Sequence, residues 1–381
     1  MTAMTYLQQA HLLAPEWEAI REAVHRRPEP GNQEFHTAAL VEQRLQALGI
    51  RTERLLDTAV VGTLAGRFPG KCAALRADMD ALPVREETGA PFASQYPGLA
   101  HVCGHDVHTA AALGAAELLA RRRDALHGTV TFFFQPDEEG RGGAQRMIAA
   151  GCMRGVDAVF GAHVCPDLPR GTVGVRYGKF YAASDTFTIR ITGRSCHGAQ
   201  PERGIDALSC AARLVTALHT LRSPDPFVLS VGTLHAGTAI NVIAGQAELT
   251  GILRTLGPEN RAAMKQALRK TAQAVAAVFG AAVEVLLQES YAGIVNTDAE
   301  TALVQTAAAQ LLGPERIRVL SEPTMTTEDF GYYIDAAAGS FYHIGVGGDH
   351  PLHHPAFLPP ADTVPLAAAV HAAVITAFLE K

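Results

Sequence analysis

Short apolar runs alternate with helical segments over the first half of the chain, and this alternation restricts the fold more than any other feature. The runs TVTFFFQ (129–135) and DAVFGAHV (157–164) have the length and composition of buried strands. The segments HTAAALGAAELLARRR (108–123) and GAQRMIAAG (143–151) have the composition and spacing of helices. Strands that alternate with helices predict an α/β domain with a largely parallel sheet. The active site is then expected at the carboxyl ends of the strands.

The middle of the chain has a different order of elements, namely strand, helix, strand, strand, helix and strand. This order is typical of a small ferredoxin-like α+β sandwich. Alternation of helices and strands resumes after Tyr291, so the small domain interrupts the larger one. The sequence therefore predicts a discontinuous α/β domain, residues 1–183 and 293–381, with an inserted α+β domain at residues 184–292.

The first helix is predicted to begin at Pro15 and to end near Arg27. Apolar residues recur there at helical spacing, as in Trp17 and Ile20. Pro28 cannot continue the helix and is expected to stop it.

Charge and composition exclude several classes of function. The formal net charge is −6 and no basic run exceeds Arg121–Arg123, which argues against a nucleic-acid-binding surface. No segment approaches the roughly 18 apolar residues that a membrane span requires, and the N-terminal residues do not resemble a signal peptide. Six cysteines in a chain of 381 residues do not form a disulfide framework. We therefore expect a cytoplasmic protein without nucleic-acid or membrane partners.

The segment AHVCGHDVHTA (100–110) gathers side chains that bind metals where a helix should begin. Only Gly104 separates Cys103 from His105, so both side chains can converge on one ion. Taken singly, each residue is more often a helix cap or a packed side chain. The metal interpretation gains weight from further ligand types at other strand ends.

Three carboxylates directly follow the buried strand TVTFFFQ, in the sequence PDEEG. Carboxylates at such a place are costly without compensation. Acidic residues that favour a helix dipole are one explanation for Asp137, Glu138 and Glu139. The other is a site in which one glutamate ligates a metal and its neighbour acts as general base.

Further candidate ligands follow other strands. His163 ends the strand DAVFGAHV, where a packed core histidine is the common alternative. A proline-rich loop at 349–357, DHPLHHPAF, adds three histidines. Asp78 and Asp80 end another strand, where they can orient a ligand histidine or form an ordinary turn. Motifs of serine hydrolases and of HExxH metalloproteases are absent from the sequence.

Together these motifs resemble the M20 family of metallopeptidases, in its branch of aminoacylases, hippurate hydrolases and auxin-amide hydrolases. The resemblance covers nearly the whole chain and rests on nine segments in the family's order. These are HRRPEPGNQEFHT, RADMDALP, AHVCGHDVHTAAALGAA, FFFQPDEEGRGGAQRMI, DAVFGAHV, CHGAQPERGIDAL, GTAINVIAGQAELTGILRT, TTEDFGYY and LHHPAF. The resemblance implies a discontinuous α/β metallohydrolase domain with an inserted ferredoxin-like lid and dimerisation domain.

The resemblance also implies roles for individual residues. Glu138 takes the position of the general acid/base, and Asp80 that of the aspartate that supports the ligands. Within LHHPAF the pattern selects His353, although His354 is adjacent and stays open as an alternative. The implied metal ligands are Cys103, His105, Glu139, His163 and His353.

The inserted domain contributes three implied residues. His197 matches a histidine that reaches the site of a neighbouring subunit and stabilises the oxyanion. Asn241 and Arg254 match residues that contact the substrate. The implied assembly is a homodimer, or a tetramer, formed through the lid domain. Three departures from the branch are present: Ala244, near Asn241, stands where proline is usual; Asp137, beside Glu138, stands where alanine is common; and Thr327 stands where the branch varies.

The implied activity is hydrolysis of N-acyl amino acids, acetyl or benzoyl derivatives among them, to a carboxylate and a free amino acid. The implied cofactors are two divalent metal ions per subunit, zinc or manganese first, with cobalt and nickel as alternatives. An N-acetyl-diaminopimelate deacetylase of lysine biosynthesis fits the same motifs. So does a non-catalytic metal-binding protein of the same fold, although such a protein has no use for Glu138.

Overall fold

The computed structural model describes residues 4–381 of the chain. Nine α-helices lie in this part: α1 (Tyr6–Arg26), α2 (Phe35–Ala47), α3 (His105–Ala120), α4 (Gly143–Ala150), α5 (Ala207–Leu218), α6 (Pro258–Phe279), α7 (Asp298–Leu312), α8 (Gly331–Ala336) and α9 (Thr363–Leu379). The strands are β1 (Arg51–Leu55), β2 (Ala59–Ala65), β3 (Phe68–Asp78), β4 (His127–Gln135), β5 (Ala158–Cys165), β6 (Val173–Val175), β7 (Gly178–Tyr181), β8 (Ala183–Thr192), β9 (Cys196–His197), β10 (Phe227–Ala236), β11 (Val242–Ile243), β12 (Gln246–Thr255), β13 (Ala282–Tyr291), β14 (Ile294–Asn296), β15 (Ile317–Val319) and β16 (Ala338–Gly345).

The chain divides into two compact units. The larger unit combines the residues up to Gly178 with Val295–Glu322 and Asp329–Lys381. The inserted unit combines Lys179–Ile294 with the short segment Pro323–Glu328. No helix among residues 4–381 is long and apolar enough to cross a membrane.

The larger unit is built on an eight-stranded sheet with the order β1-β2-β4-β3-β5-β16-β6-β15. Its central strands β4, β3, β5 and β16 run parallel to one another, as the alternating pattern predicts. Side chains of α1, α3 and α9 pack with those of the central strands in one apolar core. The central strands read as apolar runs because parallel strands are commonly covered on both faces.

Helix α1 begins nine residues before the predicted start and contains Pro15 in its interior. Thr5 and Gln8 form a reciprocal capping box, which satisfies free main-chain groups at the new start. Tyr6 is buried, and its hydroxyl lies 2.7 Å from Thr376 Oγ1 in α9. Capping and tertiary packing therefore stabilise the helical turns before Pro15, although proline disfavours the interior of a helix.

The inserted unit has the predicted strand and helix order, and its four-stranded antiparallel sheet has the order β10-β12-β8-β13. Helices α5 and α6 cover one face of this sheet, and their side chains pack with alternate residues of the strands. This is the ferredoxin-like arrangement expected from the sequence. A separate two-stranded ladder joins β9 to β11 and pairs His197 with Val242.

Candidate metal centre

The parallel strands β3, β4 and β5 bring their carboxyl ends to one edge of the larger sheet, where helix α3 begins. Gly104 precedes α3 with a φ of 89°, in the left-handed region. A Cβ atom at Gly104 would lie 2.4 Å from Cγ2 of Val164 in β5. Only glycine therefore allows the CGH segment to approach β5 so closely.

Cys103, His105 and His163 lie together at this edge, and all three are buried. His105 Nδ1 donates to the main-chain oxygen of Asp80 at 2.9 Å, and His163 Nδ1 donates to the main-chain oxygen of Val164 at 2.7 Å. Each bond leaves Nε2 of the imidazole as the acceptor nitrogen, which is the form that binds metals. His163 Nε2 lies 3.4 Å from Cys103 Sγ.

Asp80 contacts both His105 and the main chain of Glu139. Its Oδ2 accepts a hydrogen bond from the main-chain nitrogen of Glu139 at 2.9 Å, while its Oδ1 lies 3.3 Å from His105 Nδ1. Asp80 thus contacts two predicted ligands. Carboxylate oxygens of Glu138 and Glu139 lie within 4.8 Å of a ring nitrogen of His105 and of each other.

The two adjacent histidines of the C-terminal loop have different environments. His353 adopts a φ of 68°, and its Nε2 lies 3.0 Å from Glu139 Oε1. A ring nitrogen of His353, the Sγ of Cys103 and a carboxylate oxygen of Glu139 all lie within 4.8 Å of one another. His354 instead accepts a hydrogen bond from Ala356 at 3.1 Å and stacks on His350, with ring centroids 4.4 Å apart. The geometry therefore favours His353 over His354 as a ligand.

This centre is strongly anionic, and it fits divalent cations. Burial lowers the pKa of His105, but the carboxylates of Asp78 and Asp80 outweigh it and raise the pKa to about 10. Burial and the Glu139 carboxylate raise the pKa of the Cys103 thiol well above its usual range. His105 Nε2 is buried and has no hydrogen-bond partner among residues 4–381. A cation would neutralise the carboxylates, satisfy this nitrogen and stabilise the thiolate.

The structure shows further residues that contact the candidate metal centre. The sequence assigned them either no role or a role that it left undecided. His108 Nδ1 donates to Asp78 Oδ1 at 2.6 Å, and His108 Nε2 accepts from the main-chain nitrogen of Val164 at 3.0 Å. Buried Arg76 contacts Asp78 at 2.7 Å and Asp329 at 2.8 Å. Asp329 lies in the segment TTEDFGYY. The sequence signal for a role of Asp329 was the pair of adjacent acidic residues before a phenylalanine.

The three candidate residues of the inserted unit lie on or beside three of its strands. His197 ends β9 and Asn241 immediately precedes β11, and both are exposed. The main-chain nitrogen of Gly198 donates to the main-chain oxygen of Asn241 at 2.7 Å. His197 Nδ1 accepts from the main-chain nitrogen of Ala199 at 3.1 Å. Arg254 lies on β12, and its Nη1 donates to the main-chain oxygen of Met325 at 2.9 Å.

Comparison with known proteins agrees with this geometry. The profile of peptidase family M20/M25/M40 matches residues 74–377. The chain belongs to this family. An N-acetyl-L-cysteine deacetylase of Bacillus subtilis is 39% identical over 345 residues, which cover 89% of this chain and 82% of the relative. An N-acyl-L-amino acid amidohydrolase of Geobacillus stearothermophilus is 41% identical over 287 residues, which cover 74% and 78% of the two chains.

A solved structure of the family superposes on nearly the whole chain. The Bacillus subtilis YXEP protein, described as a dinuclear metal-binding peptidase of the M20 family, has a TM-score of 0.89 and 35% identity. The superposition covers 97% of this chain and 99% of the other. The two-domain M20 fold expected from the sequence is therefore confirmed.

Proposed function

We propose that this M20 protein hydrolyses the amide bond of N-acyl amino acids and releases a carboxylate and a free amino acid. The buried donor cluster around His105, with Glu138 directly beside it, is the observation that carries this proposal. A protein that only stored metal would need the ligands but not an additional carboxylate. The named activities of the two relatives support the same class of substrate.

We assign the metal ligands as Cys103, His105, Glu139, His163 and His353. Divalent cations held by these donors would supply the Lewis acidity that activates water and polarises the amide carbonyl. The mixed thiolate, imidazole and carboxylate set suits zinc or manganese, with cobalt and nickel as alternatives. The dinuclear description of the YXEP protein supports two ions per subunit.

Glu138 is the group that moves protons. Its carboxylate is 7% exposed and lies beside the donor cluster, so it can take a proton from the attacking water and pass it to the leaving nitrogen. Asp80 keeps His105 and the Glu139 loop in place during these transfers. The role of Asp80 is thus to position ligands rather than to exchange protons.

The inserted unit supplies the groups that recognise substrate. Arg254 Nε is buried without a hydrogen-bond partner in the described part of the chain, which suits a guanidinium that receives the substrate carboxylate. Asn241, exposed immediately before β11, contacts the substrate in this proposal. His197 donates to the developing oxyanion, in the site of a partner subunit.

We further propose a homodimer, or a tetramer of such dimers, formed through the inserted unit. Strand β10 is an edge strand of the four-stranded sheet, and it exposes Val228 and Leu234. Leu208 on α5 is exposed as well. Unpaired edges with apolar side chains favour association with another strand. All six cysteines are free, which supports a reducing compartment such as the cytoplasm.

The experiment that tests this function is a substrate screen on enzyme reconstituted with zinc or with manganese. N-acetyl, N-benzoyl and longer N-acyl amino acids, together with N-acetyl-diaminopimelate, are assayed for release of the free amine. Matched amides without the carboxylate serve as controls, because Arg254 should discriminate against them. Absence of amine release from every N-acyl amino acid would contradict the proposal.

A further inference from the structure

Asp137 adopts a backbone conformation that few non-glycine residues adopt. Its φ is 60°, in the left-handed region, and it immediately precedes Glu138 and Glu139. Aspartate and asparagine reach this region more readily than other side chains, whereas alanine is strained there. Because the chain turns at Asp137, its conformation sets the direction in which both following glutamates leave the backbone.

The side chain of Asp137 is tied to a distant segment of the chain. Asn32 Nδ2 donates to Asp137 Oδ2 at 2.6 Å, and Arg146 Nη1 lies 3.4 Å from the same oxygen. Arg146 also donates to the side-chain oxygen of Asn32. Asp137 is 4% exposed, so the pair with Asn32 is largely shielded from water. Its carboxylate charge is therefore directed to Arg146 and Asn32.

The backbone of Asp137 is held independently of its side chain. Its main-chain nitrogen donates to Glu34 Oε1 at 2.9 Å. Glu34 is fully buried, and its other oxygen accepts from Thr58 Oγ1 at 2.8 Å. Asn32 and Glu34, both in the segment that leads into α2, therefore form hydrogen bonds with the same residue, Asp137.

Two glycines make room for this arrangement. A Cβ atom at Gly31 or at Gly140 would lie 2.2 Å from Asp137 Oδ1. Real Cβ atoms do not come so close, so a side chain at either position would displace the carboxylate. Aspartate at 137 and glycine at both 31 and 140 thus belong to one packed arrangement.

We propose that Asp137 is a positioning residue, whose bond to Asn32 aims Glu138 and Glu139 at the metal centre. This inference rests on the proposed function, in which Glu138 moves protons and Glu139 is a ligand. Asp137 itself is not a member of the donor groups around His105. Supporting groups of this kind typically change activity or metal affinity by about 10- to 100-fold when they are removed.

Three substitutions at Asp137 and one at Asn32 separate the effect of the side chain from that of the backbone conformation. Asp137→Gly keeps the left-handed turn but removes the bond to Asn32. Asp137→Asn keeps the turn and retains an oxygen that accepts this bond. Asp137→Ala removes the bond and also strains the turn. Asn32→Gly removes the partner while tolerating the φ of 65° at that position.

The readouts are kcat and KM for an N-acetyl amino acid, zinc affinity from competition with a chromogenic chelator, and the melting temperature. We expect Asp137→Gly to lower kcat and weaken zinc binding, each about tenfold or more, with a smaller change in KM. Asp137→Asn should recover most of both losses. Asn32→Gly should resemble Asp137→Gly, and the double variant should add little further loss, because both remove one bond.

Asp157→Ala is the matched control. Asp157 also accepts a main-chain hydrogen bond, from Cys72 at 2.7 Å, but it precedes β5 and lies at the opposite end of the strand from His163. This variant should change neither kcat nor zinc affinity. A loss in Asp157→Ala equal to that in Asp137→Gly would indicate general destabilisation and would overturn the inference.

Wild-type kcat and zinc affinity in Asp137→Gly would also overturn the inference, and so would additive losses in the double variant. Failure of the proposed function has a different signature, since wild-type enzyme would then release no amine from any N-acyl amino acid. The zinc-affinity measurements do not require turnover. They therefore test the position of Glu139 even in that case.

Discussion

The candidate residues of the two units differ in how firmly the protein holds them. At the edge of the larger sheet, His105 and His163 are buried, and each has one ring nitrogen fixed by a main-chain oxygen. On and beside the β9–β11 ladder, His197 and Asn241 are exposed, and the ladder itself pairs only two residues from each strand. The proposed metal ligands are thus preorganised, while the residues of the inserted unit proposed to contact substrate have freedom to adjust.

This contrast separates the consequences of mutation in the two regions. Substitutions at the sheet edge should change metal binding or proton transfer. Substitutions on the ladder should change turnover while metal content stays constant. The following predictions test that separation, beginning with the largest expected effect.

Glu138→Gln should lower kcat by about 10²- to 10⁴-fold, because the amide cannot accept and return a proton. Metal content, measured by elemental analysis, should stay at the wild-type value since Glu138 is not assigned as a ligand. Turnover close to wild type in a metal-loaded sample would contradict the assigned mechanism.

His197→Ala should lower kcat by about 10²- to 10³-fold, as expected for loss of one oxyanion donor. Its metal content should not change. Mixing His197→Ala with Glu138→Gln should restore part of the activity if His197 acts in the partner's site. If the mixed sample stays inactive, His197 does not act across the dimer.

Cys103→Ala should weaken metal binding by at least about tenfold, since it removes a ligand rather than a supporting group. The measurement is metal stoichiometry after dialysis against a weak chelator. Cys152→Ala is the matched control, because Cys152 is a buried thiol of the same unit outside the donor cluster. Equal stoichiometry in both variants would remove Cys103 from the ligand set.

His25→Gln should destabilise the protein in a manner that depends on pH. His25 Nδ1 lies 2.9 Å from Asp106 and Nε2 lies 3.1 Å from Glu86. Burial lowers the pKa of His25, but Asp106 and Glu86 outweigh it and raise the pKa to about 9. Since this is above the unfolded value, the stabilisation is complete below about pH 6.5 and is lost as pH rises through 9.

The melting temperatures of wild type and His25→Gln should therefore differ most near pH 6 and converge by pH 10. The expected difference in unfolding free energy near pH 6 is about 1.5–3 kcal/mol, as for a hydrogen bond between charged groups. His11→Gln, at an exposed position of α1, is the control. If the difference in melting temperature between wild type and His25→Gln does not change with pH, the charge on His25 is not the stabilising factor.

Local patterns predicted much of this molecule. Apolar runs predicted the central strands, and the order of elements predicted the inserted ferredoxin-like unit. Placement of candidate ligands after those strands pointed to one edge of the sheet. Parallel strands bring their ends together whatever the intervening chain does, so this inference needs no side-chain detail.

No local pattern in the sequence predicted the side-chain pairs between distant parts of the chain. Arg76 binds Asp329 from 253 positions away, and Asn32 binds Asp137 from 105 positions away. Neither periodicity nor propensity records which distant partner a polar side chain meets. The same limit applies in part to α1, because the contact of Tyr6 with Thr376 had no local signal in the sequence, whereas the Thr5–Gln8 capping box at its start is local. The family pattern selected His353 and left the adjacent His354 open. The contact of His353 with Glu139, and the stacking of His354 on His350, are what distinguish the two in the structure.

The discontinuous larger unit also affects the order in which the chain can fold during synthesis. Strand β16 lies between β5 and β6 in the sheet, and α9 packs against both α1 and α3. The ribosome therefore completes this core only when it has made the last residues of the chain. Most of the inserted unit is one continuous stretch, Lys179–Ile294, and we expect it to fold earlier. Until then, we expect the apolar strands of the N-terminal half to be prone to aggregation.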